Sequence, residues 1–553
     1  MMTNIRDFAQ TNGSTAPTLE IDALVVGAGF SGIYLLHELR KLGLKTVIFE
    51  AGSDVGGVWR WNCYPGARTD SEYLEYQFSF PETWKTWNWS SNYPGYEEIR
   101  AYFDHVAEVL DIRKDCAFNT VVVGAEFNQE SGRWHVSTQD GRKATAKYLV
   151  IGSGFSAKRY IPDWPGRDNF KGEVHHSSFW PEAGVDVRGK RVAVVGTGAS
   201  GVQLIQALGP VAGSLTVFQR SPDYALPMHR RALTVEEQER LKPLYPQLCR
   251  LRETGFAGFL YNFSENVLPQ DSPEEQERLF GTLYKAGGFR YTLATYKDGV
   301  LDPETNRVMY DFWARQVRPR IHDQKTRDLL APETPPYVFG GKRPSLEIDY
   351  FEQFNRPNVR LVDVSENAIS SFTRGGLLLS DGTKHDFDVV CVATGFDIVS
   401  GGLMDMGLRS VHDTSLRDDW KDSILSYLGL TISGYPNLFY SYGPHGPTAI
   451  CNGPSAIEVQ GRWIVDAIKL MERRGIKSIV PTPEAVRGWK NKINTLSDMT
   501  LFPTVKTSTL MGGNVPGKPV EQLNYVGGLP AYTADIRAAL PGFDGFEIKH
   551  AEK

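Results

Sequence analysis

Two stretches of this chain carry the same strong constraint. ALVVGAGFSG places Gly27, Gly29 and Gly32 directly after an apolar run, and RVAVVGTGASG places Gly196, Gly198 and Gly201 in the same way. Each run has almost no polar interruption, as expected of a strand buried on both faces. A helix follows each turn, through YLLHELRKLG to a stop at Gly43 and through VQLIQALG, and then a second strand, KTVIFE or SLTVFQR. Three small residues at this spacing let a backbone approach a pyrophosphate at a helix N-terminus. The pattern predicts an α/β fold with two Rossmann-like dinucleotide-binding domains.

The residues that end the second strands differ in sign. Glu50 closes the first unit, where a carboxylate can accept hydrogen bonds from a ribose 2′-OH. Arg220 occupies the equivalent place in the second unit. A guanidinium there serves a ribose diol poorly but suits a 2′-phosphate, because it stays charged and pairs with phosphate bidentately. The second site is therefore read as an NADPH site. The first is read as an FAD site, because it lies near the N-terminus and is followed at once by GGVWRWNCYPGARTD.

At 553 residues the chain is too long for one ordinary core. Between about 228 and 330 the texture turns charged and helix-forming. Thr234 with Glu237 and Ser272 with Glu275 have capping-box spacing, and Asp302-Pro303 opens another helix. KHDFDVVCVATGFD then reads as one buried strand ending in a glycine turn, where the chain crosses back to the first domain. The expected order is interleaved: FAD domain over 1–155 and 389–553, NADPH domain over 156–228 and 336–388, and a helical insertion over 229–335.

Composition excludes other classes. Lys+Arg number 60 against Asp+Glu 65, a net charge of −5 with no broad cationic field for nucleic acid. No apolar run approaches a membrane span, and the first twenty residues read as a polar lead-in without a signal-peptide core. Five scattered cysteines without a CxxC argue against a disulfide framework, a Cys-rich zinc site and a disulfide reductase. A metal is not expected, and a reducing, cytoplasmic setting is.

The segment between the two turns is the most specific. Phe170, Gly172, His176, Trp180 and Pro181 fit FxGxxxHxxxWP, and Gly56, Gly57, Trp59, Tyr64, Pro65, Gly66 and Asp70 fit GGxWxxxxYPGxxxD. On these two patterns, bracketed by the two fingerprints, the chain resembles the type I Baeyer–Villiger monooxygenases, the cyclohexanone and phenylacetone monooxygenase group, from about Asp22 to Gly528. The resemblance continues at Gly341-Lys342-Arg343-Pro344, at Ala393-Thr394-Gly395-Phe396-Asp397, at Gly443-Pro444, Pro447 and Asn452, and at Gly512 to Pro519.

That resemblance implies a flavoenzyme that uses NADPH and O2 to turn a ketone into an ester or lactone through a C4a-peroxyflavin. It implies that Arg343 sits over the flavin ring as the fixed cation, oriented by Asp70, and that Lys342 helps hold the 2′-phosphate. It further implies cofactor contacts from Val58, Trp59, Arg68, Tyr76 and Val122, from Thr197, Ser200, Gln203 and Ser221, and from Thr394 and Asn452. His176 is expected to link the nucleotide domains, and Cys63 to act as a small buried hydrophobe. One departure stands out. Relatives carry Ser-Trp-Tyr on a mobile loop, near 500–515 here, where this chain has Ser508-Thr509-Leu510, so the indole that contacts the nicotinamide is missing. The nearest alternative is a flavin-containing N- or S-oxygenating monooxygenase, which lacks the Trp180-Pro181 ending and the Tyr64 to Asp70 segment. The expected partners are a small ketone and O2, without nucleic acid or membrane, in a monomer or weak homo-oligomer.

Overall fold

A computed structural model of the chain describes residues 17–550; the polar lead-in read from the sequence lies almost wholly outside the described residues. The first unit runs β1 (Leu19–Val26), α1 (Phe30–Lys41) and β2 (Thr46–Phe49), then β3 (Cys116–Ala117), β4 (Val122–Asn128), β5 (Arg133–Thr138) and β6 (Lys143–Ile151). The second runs β7 (Glu173–His176), β8 (Arg191–Val195), α2 (Ala199–Leu208) and β9 (Ser214–Gln219). Helices α3 (Tyr245–Arg252), α4 (Pro273–Ala286) and α5 (Pro303–Val317) follow, before β10 (Val359–Asp363) and β11 (Val389–Val392). Two short strands, β12 (Leu408–Arg409) and β13 (Leu438–Tyr440), precede the long helix α6 (Gly453–Arg474).

These strands build two sheets. The eight-stranded sheet has the order β12-β4-β5-β6-β1-β2-β3, with β13 also on β6, and the five-stranded sheet has the order β10-β9-β8-β11-β7. In both, the strand before the glycine turn is flanked by parallel neighbours, β2 and β6 around β1, and β9 and β11 around β8. That arrangement buries both faces and explains the uninterrupted apolar runs. At each turn the first glycine has a positive φ, +103° at Gly27 and +106° at Gly196. The third glycine lets helix and strand close up: a Cβ at Gly32 or Gly201 would collide with the carbonyl oxygen of Gly27 or Gly196.

Two expectations are corrected. KHDFDVVCV is two strands, not one. Lys384–Asp386 pairs antiparallel in a small separate sheet, while β11 lies inside the five-stranded sheet between β8 and β7. Asp388 sits at the joint, its carboxylate taking the backbone N–H and guanidinium of Arg191. The chain thus rejoins the first sheet only after β11, at β12 and β13, and not at residue 389. The Thr234 capping box is only half formed: Thr234 accepts from the Glu237 N–H, but the Glu237 carboxylate pairs with Arg231. The Ser272 box is complete, and Asp302 caps α5.

The insertion packs its aromatic face, including Phe280, Tyr291, Phe312 and Trp313, into the core of the second sheet. It also reaches the first domain through one buried ion pair. Arg252 at the end of α3 is 0% exposed and meets Glu458 of α6, 1% exposed, at 3.0 Å. The same guanidinium donates to the carbonyls of Glu75 and Gln77. No helix among the described residues is long and apolar enough to cross a membrane. Removing one partner of such a pair strands a buried charge, so Arg252→Met should cost about 3–5 kcal/mol, and the double variant Arg252→Met/Glu458→Gln should recover part of it. Denaturant midpoints of the two variants measure this.

Candidate active site at the seam of the two sheets

A cavity of about 1230 Å³ runs between the C-terminal ends of β1 and β8 and is lined by both glycine turns. At its first end the α1 N-terminus opens at Gly29. Glu50 is buried there, one carboxylate oxygen accepting from the Ala28 N–H and the other from the Gly52 N–H, both at 2.6 Å. Burial raises its pKa against the pull of those two donors. Trp59 donates its indole N–H to the Tyr76 hydroxyl at 3.0 Å, which fixes two aromatic walls.

At the second end the α2 N-terminus opens at Gly198. Thr197 donates to the carbonyl of Ser221, and Lys342 Nζ donates to the Ser221 hydroxyl at 2.8 Å while lying 4.5 Å over the Tyr337 ring. Burial first, and then the like charge of Arg220, push the Lys342 ammonium down to about 8. Among the described residues no carboxylate forms an ion pair with Arg220 or Lys342. Two adjacent cations that no carboxylate pairs directly, with Asp223 acting on Lys342 only from a distance, fit a phosphate dianion. Gln203 of α2 joins the two ends: it accepts from the Tyr64 hydroxyl at 2.7 Å and donates to the Arg68 carbonyl at 3.1 Å.

Arg343 stands between the two turns. Its Nε and Nη2 both donate to Asp70 Oδ2, at 3.1 and 2.9 Å, and its Nη1 donates to the Ala449 carbonyl at 3.2 Å. The guanidinium lies 4.4 Å over the Phe289 ring. Burial disfavours its charge, but the Asp70 carboxylate more than offsets that and holds the pKa above the ordinary arginine value. Both side chains keep about a third of their surface accessible, 34% and 33%, where they line the cavity. The group is a permanent cation with its position fixed on three sides and N–H groups left over for a ligand.

The structure brings nearly all the sequence-read residues onto this one cavity: Gly27, Gly29, Glu50, Val58, Trp59, Arg68, Asp70, Tyr76 and Val122 from the first part, Gly196, Thr197, Gly198, Ser200, Gln203, Arg220 and Ser221 from the second, and Lys342, Arg343 and Thr394 after the insertion. Gly32 and Gly201 stand behind their turns and serve packing. Asn452 is a correction. It is 1% exposed and does not line the cavity; it precedes α6 without capping it through its side chain, and its amide N–H groups go to the Glu75 carbonyl and the Ser455 hydroxyl. His176 is buried with Nδ1 on Ser178, and burial holds its pKa near 4, so it packs the seam as a neutral ring. Cys63 is buried with Sγ on the Trp180 carbonyl. The sequence reading missed Phe289 and the Ala449 carbonyl. Only Gly287-Gly288, both with positive φ, marked the backbone before Phe289 as unusual. Ser508 ties the loop bearing Thr509 to the Arg343 segment by donating to the Gly341 carbonyl at 2.8 Å, and Thr509 and Leu510 line the cavity.

Comparison with known proteins agrees with this geometry. The flavin-binding monooxygenase-like family model matches residues 22–228. The FAD-binding monooxygenase acrE of Aspergillus aculeatus is 56% identical, over 100% of this chain and 93% of its own. Cyclopentanone 1,2-monooxygenase of a Comamonas species is 41% identical over 96% of both chains. The solved structure of OTEMO in complex with FAD and NADP superposes with a TM-score of 0.91 at 33% identity, covering 96% of this chain and 99% of that one. The chain is a flavin-binding monooxygenase by fold and site. Within that class it belongs to the Baeyer–Villiger monooxygenases.

The cation cluster makes a pH prediction. A phosphate on Lys342 would be held by the ammonium form, so affinity for adenosine 2′,5′-bisphosphate should be constant below about pH 8 and fall as the pH rises through it. Lys342→Met should bind more weakly and lose this step. Calorimetric titration between pH 6.5 and 9.5 checks both.

Proposed function

We propose that this chain binds FAD at the Gly27 turn and NADPH at the Gly196 turn and oxidises ketones to esters or lactones. The balanced reaction is ketone + O2 + NADPH + H⁺ → ester + NADP⁺ + H2O. The observation that carries the reading is Arg343, locked by Asp70 and the Ala449 carbonyl on the cavity wall between the two dinucleotide turns. The residues present fit both cofactors: the turns are shaped so that any side chain at Gly27 or Gly196 would strike the neighbouring backbone, 2.7 Å from the Gly152 oxygen or 2.5 Å from the Ala393 oxygen. Val58, Trp59, Tyr76 and Val122 would wall the flavin half of the cavity, and Arg220, Ser221 and Lys342 would take the 2′-phosphate. When bound and reduced by NADPH, FAD supplies the activated oxygen.

The chain's own residues do the rest. As oxygen adds to the ketone carbonyl, negative charge develops on the carbonyl oxygen, and a fixed cation stabilises that charge without reorganising. Arg343 is placed for this and cannot lose its proton at working pH. Asp70 orients the guanidinium and balances its charge before substrate arrives. Thr509 and Leu510, held through Ser508, close the cavity wall against water. The five cysteines are all free and buried, which supports a reducing, cytoplasmic setting.

A product assay tests the reading: purified protein, FAD, NADPH and a panel of cyclic, aryl and long-chain ketones, with an amine and a sulfide alongside, analysed for oxygenated products. Esters from ketones are expected, and N- or S-oxides alone would favour the heteroatom reading. In the same assay Arg343→Ala should still let NADPH reduce the flavin in stopped flow, while ester formation falls by about 10²–10³ or more and hydrogen peroxide is released. Asp70→Ala should impair the same step less. Ester formation by Arg343→Ala at near wild-type rate would reduce Arg343 to a phosphate clamp.

The missing indole at position 509 leaves on the order of 150 Å² of contact surface unfilled relative to tryptophan-bearing relatives. Thr509→Trp should therefore exclude the bulkiest ketones first and tighten NADP⁺ binding. An unchanged kcat/KM profile across the ketone panel, with unchanged NADP⁺ affinity, would show that the loop does not shape the pocket.

A further inference from the structure

We propose that Trp61, Arg159 and Phe179 form a lip that clamps the adenosine diphosphate half of the dinucleotide held at the Gly27 turn; the inference rests on the reading of that turn as the FAD site. All three residues line the cavity, and none belongs to either glycine fingerprint or to the Arg343 cluster. They come from three separate segments. Trp61 ends the short helix Val58–Trp61, Phe179 ends the 3₁₀ turn Ser177–Phe179 that follows β7, and Arg159 lies on the linker between the two sheets, bridged to Phe396.

Their arrangement is costly without a ligand role. Trp61 is 36% exposed and Phe179 53%, with ring centroids 5.4 Å apart, so two large apolar faces meet at the cavity mouth in contact with water. Arg159 lies over Phe179, its guanidinium carbon 3.6 Å from the ring centroid. A guanidinium held over a ring keeps N–H donors available to a ligand. Among the described residues no carboxylate forms an ion pair with Arg159; burial first, and then the like charge of Arg167, lower its pKa. A planar cation with available donors, pinned to an aromatic ring on a cavity wall, matches the oxygens of a diphosphate.

Position selects the ligand. The six-membered edge of Trp61 lies 3.5 Å from where a Gly52 Cβ would stand, and Gly52 is the residue whose N–H holds Glu50. The lip therefore neighbours the ribose-binding carboxylate of the first site, whereas Arg220 and Lys342 serve the second. Trp61 and Phe179 offer flat apolar surface to an adenine, and Arg159 offers charge to the diphosphate beside it.

Apoprotein prepared by flavin removal is titrated with FAD, following flavin fluorescence quenching, and flavin-loaded protein is titrated with NADP⁺ by calorimetry. Arg159→Ala should weaken FAD binding five-fold or more, and Phe179→Ala should weaken it while making a further Arg159→Ala change cost less, since the two act as one stack. Arg159→Lys should fall between wild type and Arg159→Ala. FAD affinity of the wild type should drop with ionic strength more steeply than that of Arg159→Ala, while NADP⁺ affinity stays within two-fold throughout. An FAD affinity changed less than five-fold in Arg159→Ala overturns the proposal, as does NADP⁺ binding weakened as much as or more than FAD binding. Wild-type protein that fails to bind FAD at all would sink the proposed function itself rather than the lip.

Discussion

The contact between Arg343 and Asp70 is the interaction around which the molecule is arranged. A guanidinium on the wall of a cavity between two sheets is expensive to desolvate, and a carboxylate on the same atoms offsets that cost. Asp70 comes from the segment after the first glycine turn, Arg343 from the segment after the insertion, Phe289 from the insertion and Ala449 from the last third of the chain. Such a contact exists only if the chain crosses between the sheets repeatedly. The interleaved topology is the route by which four distant segments meet at one charge.

The two dinucleotide turns show one physical solution used twice with opposite signs. Both place a helix N-terminus at the end of a doubly flanked parallel strand, and both depend on glycines where a side chain would strike neighbouring backbone. They diverge at one residue each. Glu50 is buried with its two oxygens held by backbone N–H groups, while Arg220 stands beside Lys342 with no carboxylate paired to either. In the function proposed above, this change of charge at the strand end separates a diol-binding site from a phosphate-binding one.

How much was legible from residues alone follows the range of the interactions. The glycine turns, the Ser272 box and the Asp302 cap are local, and all are present. Placement of Arg343, Asp70 and Lys342 came from motif resemblance, and the cavity gathers them. Errors arose where a neighbour far along the chain decides. The Glu237 carboxylate pairs with Arg231 instead of returning to the Thr234 backbone N–H, and the apolar run before Ala393 is split at Asp388, whose carboxylate Arg191 takes. Asn452 lies next to cavity residues in sequence, but a side chain's direction depends on what packs on each side, and its amide is taken by Glu75 and Ser455.

The sequence by itself determined the two nucleotide-binding units, their order and the charge at the end of each, because these rest on contacts within a few dozen residues. It also placed the cation, through the segment that carries Arg343. Tertiary structure alone decided which sheet receives β11, what holds Arg343 in place, and which side chains form the cavity mouth. Those outcomes depend on residues hundreds of positions apart competing for the same hydrogen bonds and the same buried surface, as Arg252 and Glu458 do at 3.0 Å across the domain boundary. No local pattern encodes such a competition; it is settled only when the whole chain has packed.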